Sequence, residues 1–188
     1  FNFAEILWTL KMYDEAEAQC KKGIELIDLP TDQLNLLAKH CLSRAHAMLG
    51  VISYRDKDMK KAIGEAVAFN QLKYLPDLPS HLKYIKLRPE RITFASDFSL
   101  EDPLVQIALA DMFYELNDFE NSEKHYRKAI ELSPEDENLN SFLTNVLTRK
   151  NDWGGAAKEN FAYSSKIVNK IPGKIGDMFS SKEKKDTE

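Results

Sequence analysis

The strongest constraint on folding lies between Asp102 and Pro134, where two helical apolar stripes are separated by a two-residue polar break. Leu104, Ile107, Ala108, Leu109, Met112, Phe113 and Leu116 recur at helical spacing and give the first half one broad apolar face. Asn117 and Asp118 interrupt it. Phe119, Ser122, Tyr126, Ala129, Ile130 and Leu132 then resume a stripe, while Glu120, Glu123, Lys124, Arg127, Lys128 and Glu131 fill the opposite side. Neither helix can bury its stripe alone, so the segment predicts a helical hairpin. Ala110, Ser122 and Ala129 mark where the two backbones have to approach closely, because larger side chains would hold them apart.

This stretch resembles the tetratricopeptide repeat (TPR), whose pattern is W-x2-L-G-x2-Y, then A-x3-F, then a small residue and a Pro. Leu109 and Ala110 stand at the Leu and Gly positions, Phe113 at Tyr, Ser122 at Ala and Tyr126 at Phe; Ala129 and Pro134 close the unit, and Gln106 replaces the Trp. Phe3, Ala4, Leu7, Ala16, Cys20 and Gly23 follow the same pattern, as do Leu49, Gly50, Ser53, Ala62, Ala66 and Phe69. Leu143, Thr144, Leu147 and Ala156 continue it, with Asn160 and Tyr163 departing. The resemblance implies an all-α fold, an α-solenoid of helix-turn-helix hairpins stacked in a right-handed superhelix. The repeat domain spans about 1–172, with units at about 1–30, 31–76, 103–136 and 137–170, and an irregular insertion at about 77–102.

The aligned small residues Ala16, Ala62, Ser122 and Ala156 lie 46, 60 and 34 residues apart, against a TPR period of 34. The first excess is assigned to one long helix from about Asp32 to Tyr54, because Leu34, Leu37, Ala38, Cys41 and Leu42 keep helical spacing. The second excess carries Pro76, Pro79 and Pro89, each of which disfavours a helix running through it. Ser80 is positioned to cap a short helix to about Leu87, and a decayed helix pair is the alternative to an insertion. Ser99 with Asp102 suggests a capping box before the third unit; Ser133, Pro134 and Asp136 suggest a cap, a first helical residue and an acid for the fourth. Residues 173–188 read as a flexible charged tail. The opening FNFAEILWTL looks like helix interior, so the sequence is expected to be a piece of a longer protein whose leader would lie outside it.

A net charge of -4 and a pI near 5.7 give no general electrostatic reason to bind nucleic acid or an anionic membrane. No apolar run approaches the roughly 20 residues that span a bilayer, so no membrane insertion is expected. Cys20 and Cys41 form no C-x-x-C pair; they read as buried structural thiols in a reducing compartment, the cytoplasm first, or as indifferent to redox. His40, His46, His81 and His125 show no metal-binding spacing, and phosphate-cradling and nucleophile-elbow motifs are lacking, so neither an enzyme nor a metal or other cofactor is expected.

What remains is binding of a protein or peptide in the groove that stacked helix pairs create. The resemblance places the first helix of each pair in that groove. The carried-over candidates are Trp8, Arg44, Met48, Tyr54, Arg55, Asp111, Tyr114, Phe142, Asn145 and Arg149. This mixture suits a peptide with apolar anchors better than a uniformly charged ligand. The chaperone-tail carboxylate clamp of some TPR domains is not matched: Ile107, Asp111 and Phe142 occupy its positions on the regular pair, and Ala47 and Val51 those on the second unit. A scaffold or adaptor module is thus expected. The alternative is a non-catalytic regulatory region of a larger enzyme or of a secretion or envelope assembly factor. Self-association through the last repeat is a further possibility.

Overall fold

The structure, a computed structural model, describes residues 2–27, 34–73 and 99–168. Among these are eight helices and no strand, arranged as four hairpins. They are α1 (Asn2–Thr9) with α2 (Tyr13–Glu25), α3 (Leu36–Arg55) with α4 (Met59–Lys73), α5 (Pro103–Glu115) with α6 (Phe119–Leu132), and α7 (Asn138–Arg149) with α8 (Trp153–Val168). The second helix of each pair packs on the first helix of the next, α2 on α3, α4 on α5 and α6 on α7. The described chain is therefore a helical solenoid. Most of the sequence-predicted insertion, including the Ser80 cap, lies outside the described residues, as do the Pro30 unit end and the 173–188 tail.

All four hairpins turn in the same way. Lys11, Lys57, Asn117 and Asn151 have φ of 61°, 65°, 61° and 61°, the left-handed conformation. The following amide donates to a carbonyl five residues back, Met12 to Leu7, Asp58 to Ser53, Asp118 to Phe113 and Asp152 to Leu147, at 2.9–3.0 Å. The left-handed residue's own amide donates three residues back, which together satisfies the orphan carbonyls of the first helix. In the last three pairs the Asp after the turn then caps the second helix, accepting from Lys61, Asn121 and Gly155 amides at 3.1, 3.2 and 3.0 Å. Met12 offers no such cap to α2. Five residues after each left-handed position comes a buried small residue, Ala16, Ala62, Ser122 or Ala156, where the two helices meet.

Two sequence-based helix starts are corrected. α5 is capped by Asp102, whose carboxylate accepts from the Leu104 amide at 2.8 Å, with Pro103 as first helical residue; Ser99 instead bonds the Glu101 amide. Pro103 has no N–H to lose and so fits that position. α7 begins at Asn138, and Ser133 ends α6 instead of opening the next helix. Glu137 stands at the cap position without a side-chain cap bond, and Asp136 just before it accepts from the Asn138 amide at 3.0 Å. α3 starts at Leu36, capped by Asn35, and its Leu37 faces solvent although the periodic pattern places it on the apolar stripe.

The core is continuous across the interval 74–98. α4 packs directly on α5, and one cluster joins Ala47, Val51, Ala66 and Phe69 to Ile107, Leu109, Met112, Phe113 and on to Leu139 and Leu147. Among the described residues no helix lies between α4 and α5. Gly50 makes this possible, because a Cβ there would run into the thioether of the fully buried Met112 and come within 3.1 Å of Glu65 Cβ. Gly50→Ala is expected to lower the unfolding free energy by about 1–3 kcal/mol, read from denaturant melts. Ser122→Ala is expected to do the opposite: its buried hydroxyl has no partner, so removing it raises stability by about 1 kcal/mol.

Candidate functional site

The groove candidates separate into a closed set and an open set. On α3, Met48 is 2% exposed, in a cluster with Ala4, Cys20, Ala45 and Leu49, and Ala47 and Val51 are buried beside it in the main core. Cys20 donates its thiol to the Met48 sulfur at 3.8 Å, and burial pushes that thiol's pKa up to about 11. Cys41, expected to be buried, is only half-buried. Asp111 is 5% exposed and accepts the Tyr126 hydroxyl proton. Met48 and Asp111 thus face the interior. Arg44 is held by two carboxylates, its Nε donating to Glu5 at 2.6 Å and an Nη to Glu115 at 3.0 Å. One side chain thereby ties together the first helices of three successive pairs. Trp8 is half-buried, edge-on to Tyr13 with centroids 5.1 Å apart, and Arg55 lies 4.1 Å over the other ring of that pair.

Tyr54 belongs to a polar chain that the sequence did not reveal. Gln106 Nε2 donates to the Leu100 carbonyl at 2.6 Å, so its Oε1 accepts from His125 Nδ1–H at 2.7 Å. That leaves His125 Nε2 to accept the Tyr54 hydroxyl proton at 3.1 Å, while Lys124 donates to the same oxygen at 3.4 Å. Phe113 stacks on His125 at 5.5 Å and meets Tyr54 edge-on at 4.9 Å. Every donor and acceptor is matched only if His125 is neutral. Burial depresses its pKa to about 4, with the nearby Lys124 charge acting in the same direction. A cleft of about 570 Å³ opens beside this chain, walled by Met59, Leu100, Lys124 and Lys128.

The open set lies on α5 and α7. Tyr114 is half-buried against Phe119, with centroids 5.6 Å apart, and Phe142 is half-buried and stacked on Tyr126 at 5.9 Å. Asn145 and Arg149 follow Phe142 on one face of α7. Both are exposed, and neither makes a side-chain hydrogen bond or ion pair among the described residues. Lys150, their neighbour, is committed to Glu123 of α6 at 2.6 Å. No group of three or more His, Cys, Asp or Glu side chains among the described residues is placed to hold a metal, and no described helix is long and apolar enough to cross a membrane.

Two segments of the sequence, 103–136 and 1–28, match family profiles of the tetratricopeptide repeat. These two segments are similar to tetratricopeptide repeats, and the stacked helix pairs of the described chain agree with that reading. No individual curated protein shows significant similarity to it. Tetratricopeptide repeats generally mediate protein–protein interaction and are typically non-catalytic. Within the 103–136 segment, Gln106 at the usual Trp position is explained by geometry: an amide there accepts from His125 and donates to Leu100, which an indole could not do.

The depressed His125 pKa has a consequence for stability. Between pH 6.5 and 4 the unfolded chain binds a proton at this residue and the folded chain does not, so stability falls as pH drops through that window and levels off below it. The loss is about 3 kcal/mol at most. Chemical denaturation from pH 7 to pH 4 is expected to show a shallower decline for His125→Gln than for the parent.

Proposed function

We propose that the chain is a protein-interaction module that holds a peptide, or a segment of a partner protein, on the first helices of its last two pairs. Tyr114 and Phe142 supply apolar anchors, and Asn145 and Arg149 supply directional polar contacts. The observation that carries this reading is the difference between α3 and α7. The groove positions of α3 are spent on the core, on the Glu5–Arg44–Glu115 bridge and on the Tyr54–His125 bond. Asn145 and Arg149 are exposed and make no side-chain hydrogen bond or ion pair among the described residues. An exposed guanidinium together with two half-buried rings on α5 and α7 suits a chain with apolar side chains and a carboxylate, which the guanidinium can engage with two parallel hydrogen bonds.

A peptide array probed with the labelled chain tests this. Bound peptides are expected to carry an acidic residue near an aromatic or aliphatic one. Arg149→Glu is expected to weaken their binding by about 10-fold or more, Tyr114→Ala by a smaller factor, and Lys22→Glu on the exposed side of α2 not at all. Equal binding by Arg149→Glu and the parent would remove this surface from the function.

A further inference from the structure

The cleft beside Tyr54 pairs apolar walls with a single unneutralised charge. Met59, at the start of α4, and Leu100 are its apolar walls, and the Tyr54 ring with the buried His125 and Gln106 forms its floor. Three cations and two acids line it. Arg127 is committed to Glu123 and Glu159 at 2.9 and 3.7 Å, and Lys128 lies 3.5 and 3.9 Å from Glu101 and Glu131. Lys124 has no acidic partner among the described residues; its one bond is to the Tyr54 hydroxyl at 3.4 Å. That hydroxyl gives its own proton to His125, so it offers Lys124 a lone pair and no charge.

The next junction shows why the cleft stays open here. Aligned on the left-handed turns Asn117 and Asn151, Leu100 and Gln106 correspond to Pro134 and Asn140. Lys166 of α8 bridges those two, donating to the Pro134 carbonyl at 2.9 Å and to Asn140 Oδ1 at 2.7 Å. Its counterpart on α6 is Leu132, which has no group to reach across. The charge balance then selects among anions. A monoanion neutralises Lys124, whereas a phosphate monoester would bring further charge next to Glu101 and Glu131 with no second free cation to meet it.

We propose that this cleft binds a small apolar monocarboxylate, with the carboxylate on Lys124 Nζ and the hydrocarbon part between Met59 and Leu100. Its volume of about 570 Å³ is that of a small-molecule site. Tyr114, Phe142, Asn145 and Arg149 take no part in it, so the site does not rest on the groove assigned above.

Octanoate is the probe, titrated into the isotope-labelled full chain and followed by amide NMR shifts. The shifts are expected to centre on Met59, Leu100 and Lys124 and to saturate with a Kd of about 1 mM, in keeping with so small a ligand. Octanamide and octyl phosphate, which change only the head group, are expected to bind about 10-fold more weakly. Lys124→Met should remove the advantage of octanoate over octanamide, and Leu100→Glu should abolish octanoate binding. Both side chains are exposed, so neither change should move Tm by more than about 2 °C. Lys22→Glu should leave binding as it is. Equal binding of octanoate and octanamide, shifts that do not saturate, or shifts centred on other exposed apolar side chains such as Leu36 and Leu37 overturn the proposal. So does tighter binding of the tripeptide acetyl-Ala-Ala-Leu, since that result gives the cleft to a polypeptide.

Discussion

The stack depends on the contact of α5 with the α3–α4 hairpin. This is the one junction where the sequence supplies no short connection: Lys73 ends α4 and Pro103 begins α5. Loop closure over such an interval is entropically unfavourable and has to be offset by the contact itself. Three features supply it. Gly50 lets Met112 reach the α3 backbone, Asn70 donates to the Ala108 carbonyl at 3.2 Å, and Arg44 reaches across to Glu115. Without that contact the first two pairs and the last two would each keep one uncovered apolar face.

Helical periodicity made the pairs legible in the sequence, and small residues at their contacts set the alignment. Ala16, Ala62, Ser122 and Ala156 are all buried, because two helices at contact distance leave no room for a longer side chain. The turns were less visible. Lys11 and Lys57 adopt a left-handed conformation that favours Gly or Asn, so nothing in their identity marks them. One helix start was misplaced where two capping residues competed: Asp102 with Pro103 prevailed over Ser99. The other was misplaced because Ser133 closes α6, and α7 begins five residues later at Asn138 without a side-chain cap.

Transferring groove positions from a repeat pattern assumes a regular stack. That assumption fails at α3, whose neighbour α5 follows after 60 residues instead of 34 when turn positions are compared. Leu116, at the end of α5, packs against the cluster around Met48, so the face that a regular stack would leave open on α3 is covered by the next pair. Gln106 and His125 belong to the same departure. A single histidine on an otherwise ordinary second helix gives no sign of a partner, and Gln106 read only as a weak match. They become intelligible together, because each satisfies a buried polar atom that the other would leave without a partner.

The closed and open faces also differ in what a ligand would have to undo. A partner approaching α3 would compete with Glu5 and Glu115 for Arg44, and with His125 for Tyr54, replacing charge-assisted and buried hydrogen bonds that hold three helix pairs in place. Binding there would be linked to disruption of the stack. A partner approaching α7 meets Asn145 and Arg149 with no side-chain bond among the described residues to displace, on a helix fixed from behind by Leu139, Leu143, Val146 and Leu147 in the core. The irregular junction commits the polar groups of α3 to holding the stack together. At the regular one Asp111 and Asn140 are likewise buried and bonded, and Asn145 and Arg149 of α7 stay exposed.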